Sequence, residues 1–297
     1  MMTAPALVLD LLELLHTEWI KCAEFLELLG HLEGCKPVVR LVVDSERRHA
    51  LLSFFAKAAL HHCVSEFHLR TEFSTGIGDT FQRIDASRNP DGDRVIFVGA
   101  SDVTAEAHAM ELGGADAVAC GRVYGYPACC AASYRAVQDG TPWVIPFLRD
   151  ISRTSHHGWR SNKLASLFPP HLTIIPDFFP CSIHCPSTAA LAEQYEQLLI
   201  DAGLAELRDL IAAELQRPLL VHDGWVYRFE ALEQPSTRPF SHVGRTAFLP
   251  LESKPRQAPL SIQGLSFARE EVELFVTTPA GRRSAVAADG PLLLFAS

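Results

Sequence analysis

The chain lacks a basic surplus: 26 Lys and Arg stand against 35 Asp and Glu, a net charge of −9 over 297 residues. That excludes a protein built mainly to grip nucleic acid, whose polyanionic backbone asks for a positive surface. The arginine pairs Arg47–Arg48 and Arg282–Arg283 read as solvated faces. No run of eighteen apolar residues occurs, which excludes a transmembrane helix. The Leu-rich start is interrupted by Asp10 and Glu13 and has no basic segment before it, so no secretory signal is expected. Internal repeats and low-complexity tracts are also missing.

Several catalytic motifs are missing too. Ser74-Thr-Gly-Ile-Gly78 has glycines, but no lysine follows in the spacing of a phosphate-cradling loop, so it reads as a turn. Val98-Gly-Ala-Ser101 follows a strand-like run but lacks the later glycines of a dinucleotide site. There is no Gly-x-Ser-x-Gly elbow, no His-Glu-x-x-His zinc helix and no Cys-x-x-Cys redox pair.

What is there is ample apolar material, 48% of the residues against 21% charged, enough for one large domain or two to three small ones. Eight cysteines in a chain of this length, with no export signal expected, read as thiols held reduced in a cytoplasm rather than as a disulfide framework.

The texture of the chain predicts an α+β protein in three parts. Residues 1–104 read as an N-terminal helix followed by an α/β layer. Leu7, Leu11, Leu14, Leu15 and Trp19 suggest one amphipathic helix closed by Gly30. Val38–Val43 follows as a strand, Asp44–Ser45 starts a helix over 46–62, and strands are expected at 65–69, 81–85 and 94–99. Ser101–Asp102 then caps a helix ending at Gly113–Gly114. Residues 105–217 read as a helical cysteine domain. Residues 218–297 read as a small β module. It opens with a hairpin, Leu219–His222 and Trp225–Glu230 about an Asp223–Gly224 turn. Further strands are expected at 261–265, 272–277 and 292–295, with turns at Pro279–Gly281 and Asp289–Gly290.

The chemistry-bearing words are Tyr124-Gly-Tyr-Pro-Ala-Cys-Cys130 and Phe179-Pro-Cys-Ser-Ile-His-Cys-Pro-Ser187, each leading into a helix. The first backbone N–H groups of a helix lack intrahelical partners, and the helix dipole adds partial positive charge there. A thiolate at such a place is stabilised. Two such starts brought together suit an anionic, thiolate-ligated metal centre.

Cys181-x3-Cys185-Pro has the spacing of the end of a ferredoxin-type run, and adjacent cysteines are awkward for one zinc ion but easier for a cluster. The leading reading is therefore a [4Fe–4S] cluster on Cys129, Cys130, Cys181 and Cys185. Zinc, with His184 replacing one cysteine, is the alternative, and a metal-free redox or nucleophilic cysteine is the third. Cys22, Cys35 and Cys63 read as small hydrophobes, and Cys120 stays open between core and spare ligand.

His184 and Tyr126 are the candidate catalytic proton handlers, with Tyr124 able to donate to sulfur or substrate. His156, His157 and His171 are candidates to line the same cleft, and Arg122, Arg160, Asn162 and Lys163 to hold an anionic substrate.

Gly125-Tyr-Pro-x-Cys-Cys130 and Pro180-Cys-Ser-x-x-Cys185 resemble the signature of an uncharacterised prokaryotic family, a domain of unknown function. Its members share GYPxCC and a later PCSxxxC with an Asn-containing helix between. Asn162, Lys163 and Leu164 match that helix, and the resemblance covers about residues 105–200. It implies that the four cysteines form one site and brings no reaction with it.

The expected function is an iron–sulfur lyase or oxidoreductase acting on a small polar or acidic metabolite. An open iron would serve as Lewis acid, or electrons would pass through the cluster from a donor protein. The competing expectation is a zinc- or cluster-stabilised structural or binding protein.

Overall fold

The computed structural model describes residues 4–72, 80–85, 92–114, 116–138, 147–148, 154–176, 178–222 and 225–229, together with the strands 240–242, 246–250, 262–268, 271–277, 283–287 and 292–296. Among these residues there are eight α-helices and thirteen strands, a mixed α+β architecture.

The first thirty residues form two helices, not one: α1 (Ala4–His16) and α2 (Cys22–Leu32). The break has local causes. Glu18 adopts a left-handed φ of 60°. Lys21 is extended, and its N–H donates to the Glu24 carboxylate at 2.7 Å, which satisfies a donor that the helix start leaves open. Gly30 does not close the helix but lies within α2. A Cβ there would stand 2.8 Å from the Tyr195 ring, so its role is close approach.

Strand β1 (Val38–Val43) leads into α3 (Ser45–Lys57), where Asp44 caps the start by accepting from the Arg47 N–H at 2.8 Å. The helix stops five residues short of the expected His62, because β2 (His62–Glu72) already begins there. With β3 (Thr80–Asp85) and β4 (Asp93–Gly99) the sheet order is β1-β4-β2-β3, and every neighbouring pair is antiparallel. The α/β layer expected from the sequence is thus built on an antiparallel sheet. The chain leaves it through α4 (Ser101–Gly113), closed by Gly114 at φ 66°.

Helices α5 (Ala117–Val123) and α6 (Ala128–Gln138) follow, then β5 (Thr154–Gly158) and two short 3-10 turns, Trp159–Ser161 and Ala165–Leu167. Helices α7 (Pro186–Asp201) and α8 (Ala205–Leu215) complete the region. Among the described residues it is less helical than expected. Asn162 lies between the two 3-10 turns and not on a helix; its buried amide donates to the Leu215 carbonyl at 2.6 Å and accepts from the Ala165 N–H at 3.2 Å.

The hairpin β6 (Leu219–His222) and β7 (Trp225–Phe229) forms in the expected register, with His222 opposite Trp225. Beyond it lie β8 (Phe240–His242), β9 (Thr246–Pro250), β10 (Ile262–Ala268), β11 (Glu271–Thr277), β12 (Arg283–Ala287) and β13 (Leu292–Ala296). They form a sheet β12-β11-β10-β8 and complete a second, β5-β13-β6-β7-β9, in which β5 runs parallel to β13. The turns expected at 223–224, 279–281 and 289–290 lie outside the described residues.

One apolar core runs from Val8 and Leu11 through Phe25, Leu28 and Phe55 to Tyr195, Ile211 and Leu215, and it includes Cys130 and Cys185. The sulfur-bearing helix starts therefore rest on the wall of this core.

Candidate metal centre

Two glycines and a proline deliver the first pair of sulfurs. Gly121 lets α5 pass against α6, since a Cβ there would meet the Ala131 Cβ at 2.5 Å. Gly125, at φ 74°, turns the chain where a Cβ would stand 3.0 Å from Pro37. Pro127 then precedes α6, and its carbonyl accepts from the N–H groups of Cys130 and Ala131 at 2.9 and 3.0 Å. Cys129 and Cys130 thus sit in the first turn of α6. Cys185 is the N-cap residue of α7, with Pro186 as the first helical residue, a position where its missing N–H costs nothing.

These two helix starts converge. The sulfurs of Cys129, Cys130, Cys181 and Cys185 all lie within 4.8 Å of one another, a group able to hold a metal ion or a cluster. Cys129 Sγ is 3.9 Å from Cys130 Sγ and 3.6 Å from Cys185 Sγ, and Cys130 Sγ is 3.7 Å from Cys185 Sγ. Cys130 and Cys185 are buried, Cys181 is half-buried and Cys129 is exposed.

The four thiols are not equivalent. Burial pushes the Cys130 thiol up, against opposing hydrogen bonds from the Thr188 hydroxyl and the Cys181 backbone. Burial and the neighbouring Cys185 push Cys181 up to about 12. Cys185 is lowered to about 7: burial is its largest single influence and acts upward, but hydrogen bonds from Thr188, Cys129 and Cys181 together outweigh it.

Thr188, which the sequence did not single out, is the nearest polar support of the site. Its Oγ1 lies 3.3 Å from Cys130 Sγ. The available signal was its position three residues after Cys185, in the first turn of the same helix. Glu27 and Lys36 were missed as well. They form a buried ion pair at 2.7 Å, Glu27 1% and Lys36 4% exposed. Lys36 also donates to the Tyr124 carbonyl at 3.2 Å and lies 4.3 Å from the Tyr126 ring centroid. A carboxylate flanked by Leu26, Leu28 and Leu29 was the clue.

The remaining candidates sort by partner. Tyr126 is half-buried, stacks on Phe178 at 5.2 Å and donates its hydroxyl to Glu27 at 3.3 Å. Tyr124 is buried and donates to Glu111 at 2.9 Å. His184 is exposed, with its ring 4.5 Å from that of His157. Arg160 is tied to Glu196 at 2.5 Å and lies over the Trp159 ring. With Arg208 it holds the Glu196 carboxyl low despite the opposing effect of burial. Lys163 is buried and electrostatically coupled to Cys22. His171 is exposed, its Nδ1 3.3 Å from the Ser166 carbonyl oxygen. Arg122 is exposed, and the His156 side chain lies outside the described residues. Cys120 is half-buried beside the cluster of Val38, Phe97 and Tyr124.

No helix among the described residues is long and apolar enough to cross a membrane. No family model, curated protein or solved structure matches the chain, so the resemblance read from the cysteine words has no support from similarity.

Proposed function

We propose that the protein is a four-thiolate metalloprotein in which one tetrahedral zinc ion fastens the start of α6 to the Cys181 loop and the start of α7. The observation that carries this reading is the spacing of the sulfurs. Zinc bound by sulfur at about 2.3 Å sets its tetrahedral edges at about 3.8 Å. The separations among Cys129, Cys130 and Cys185 are 3.6, 3.7 and 3.9 Å, and Cys181 lies within 4.8 Å of each. A single ion fits Cys129, Cys130 and Cys185 almost as they stand, with Cys181 drawn in by at most about 1 Å to reach the same tetrahedral edge. The adjacency of Cys129 and Cys130, which counted against zinc in the sequence, is no obstacle, since their sulfurs come to 3.9 Å.

With four thiolates the coordination sphere is closed, which suits a structural centre. The chain's own residues hold the donors in place: Pro127 and Pro186 fix the helix starts, and Thr188 directs its hydroxyl at Cys130. The second reading, a [4Fe–4S] cluster with enzymatic function, draws support from the Cys181-x3-Cys185-Pro186 spacing and from the exposed Cys129 edge. It requires the sulfurs to spread, because a cluster sets its ligands on separate irons.

Metal and sulfide analysis of protein purified without oxygen distinguishes the two. The expected result is one zinc per chain, no acid-labile sulfide and no visible absorption. Iron and sulfide in equal amounts, with a broad charge-transfer band, would replace zinc by the cluster.

A further inference from the structure

We infer that Cys129 and Cys185 form a peroxide-sensitive pair whose oxidation to a disulfide expels the metal ion. Three observations lead there. Only Cys35 and Cys129 are exposed among the eight cysteines, so a solvent-borne oxidant meets the four-sulfur site first at Cys129. A resolving sulfur, that of Cys185, lies 3.6 Å from Cys129 Sγ. Cys130 is a little farther, at 3.9 Å, and is its sequence neighbour, so a bridge to it would close a strained eight-membered ring.

The chemistry balances without another reactant. The Cys129 thiolate attacks hydrogen peroxide, the O–O bond breaks, and a sulfenic acid and hydroxide form. The Cys185 thiolate then attacks the sulfenic sulfur, the S–S bond forms and a second hydroxide leaves. Two thiolates have lost two electrons and one peroxide has gained them. The disulfide sulfurs no longer ligate as thiolates, so two of the four donors are lost and the ion dissociates. Cys35 supplies a contrast within the chain, since it is exposed but does not belong to the four-sulfur group.

The metal-release part rests on the zinc reading above; the cross-link itself does not. The test uses the full chain carrying Cys35→Ser, which leaves Cys129 as the only exposed thiol. One sample is loaded with zinc and one is metal-free, and both are titrated with hydrogen peroxide. A chromogenic chelator reports released zinc, and peptide mass spectrometry maps disulfides. The expected result is a Cys129–Cys185 bridge in both samples, with one zinc released per bridge formed in the loaded one. Cys129→Ser on the same background cannot form this bridge, and it slows the appearance of any disulfide among the remaining site cysteines at least about tenfold, in keeping with loss of the accessible sulfur. If the protein retains no zinc but the bridge forms, the metal reading falls and the redox pair stands. Zinc loss with no bridge, or a first bridge joining Cys130 and Cys181, overturns the pair.

Discussion

Two polar assemblies, each partly buried, meet at the Tyr124–Pro127 turn, and they differ in how they balance charge. On one side Lys36 pairs with Glu27, and Arg40 pairs with Glu111 at 2.5 Å. Tyr126 and Tyr124 join each pair through their hydroxyls. Every carboxylate there has its cation supplied by the chain. On the other side stand four thiols, acids of one kind, with the Thr188 hydroxyl for support. The first assembly is complete when the chain folds. The second either keeps protons or takes a cation from outside, and the raised Cys130 and Cys181 thiols express the first of those states. Burial alone therefore does not mark a ligand site; burial of unbalanced acids does.

The sharpest way to break the comparison is Lys36→Met. It removes the ammonium from a carboxylate that is 1% exposed. Breaking one side of a buried ion pair costs about 3–5 kcal/mol, since the remaining charge is stranded away from water. Urea unfolding should show that loss, and Lys36→Met combined with Glu27→Gln should recover part of it. A loss below about 1 kcal/mol would place the pair in effective contact with solvent.

The sulfur side should respond to metal instead. Zinc at a hundredfold excess over its Kd adds about 2.7 kcal/mol to the stability of the unaltered chain. In Cys185→Ala most of that gain disappears, while Lys36→Met retains it. The same site predicts a pH dependence. Cys130 and Cys181 are raised, so both hold protons at neutral pH and must release them to bind zinc. These two releases alone raise affinity by about a hundredfold per pH unit around pH 7–9. Without metal the sign reverses for these two groups: their burial favours the fold fully below the ordinary thiol pKa. That benefit fades as pH rises toward about 12, the value for Cys181. Calorimetric titration in buffers of different ionisation enthalpy counts the protons, and none released would mean the thiols are already ionised.

Much of this was legible in the sequence, for physical reasons. The proline-led cysteine words announced helix starts, because proline is tolerated at a first helical position and nowhere deeper. The β-branched run Val38–Val43 and the hairpin at 219–229 were readable from local preference alone. What local pattern could not supply was pairing. The Leu-rich start read as one helix because its periodicity continues through Thr17–Lys21, and only the left-handed Glu18 and the Lys21–Glu24 cap divide it. Nor could it join Lys36 to Glu27 across a helix end, or β5 to β13 across more than a hundred residues. The choice between cluster and zinc leaned on adjacency in the chain, whereas the relevant quantity is the distance between sulfurs.

Gly30 tests whether the two assemblies are mechanically joined. It is the point where α2, which carries Glu27, touches Tyr195 of α7, the helix that begins at Cys185 and carries Thr188. Gly30→Ala sets a methyl 2.8 Å from the Tyr195 ring, so either the ring or the two helices must shift. Overpacking of this kind costs about 1–3 kcal/mol. Zinc affinity should fall with stability if α7, the helix that starts at Cys185, is what moves. Unchanged affinity in a destabilised variant would uncouple the two assemblies.

The smallest effect assigns Tyr126 to one side or the other. Tyr126→Phe keeps the ring stacked on Phe178 and near the Lys36 ammonium, and deletes only the hydroxyl that donates to Glu27 at 3.3 Å. A single such hydrogen bond is worth about 0.5–1.5 kcal/mol. The urea midpoint should shift by that amount equally in metal-loaded and metal-free protein, because the phenol serves the charged assembly, which is complete without metal. A shift confined to the loaded protein would move Tyr126 to the sulfur side, beside the proton-handling role that its place in the Tyr-Pro-Ala-Cys-Cys word suggested.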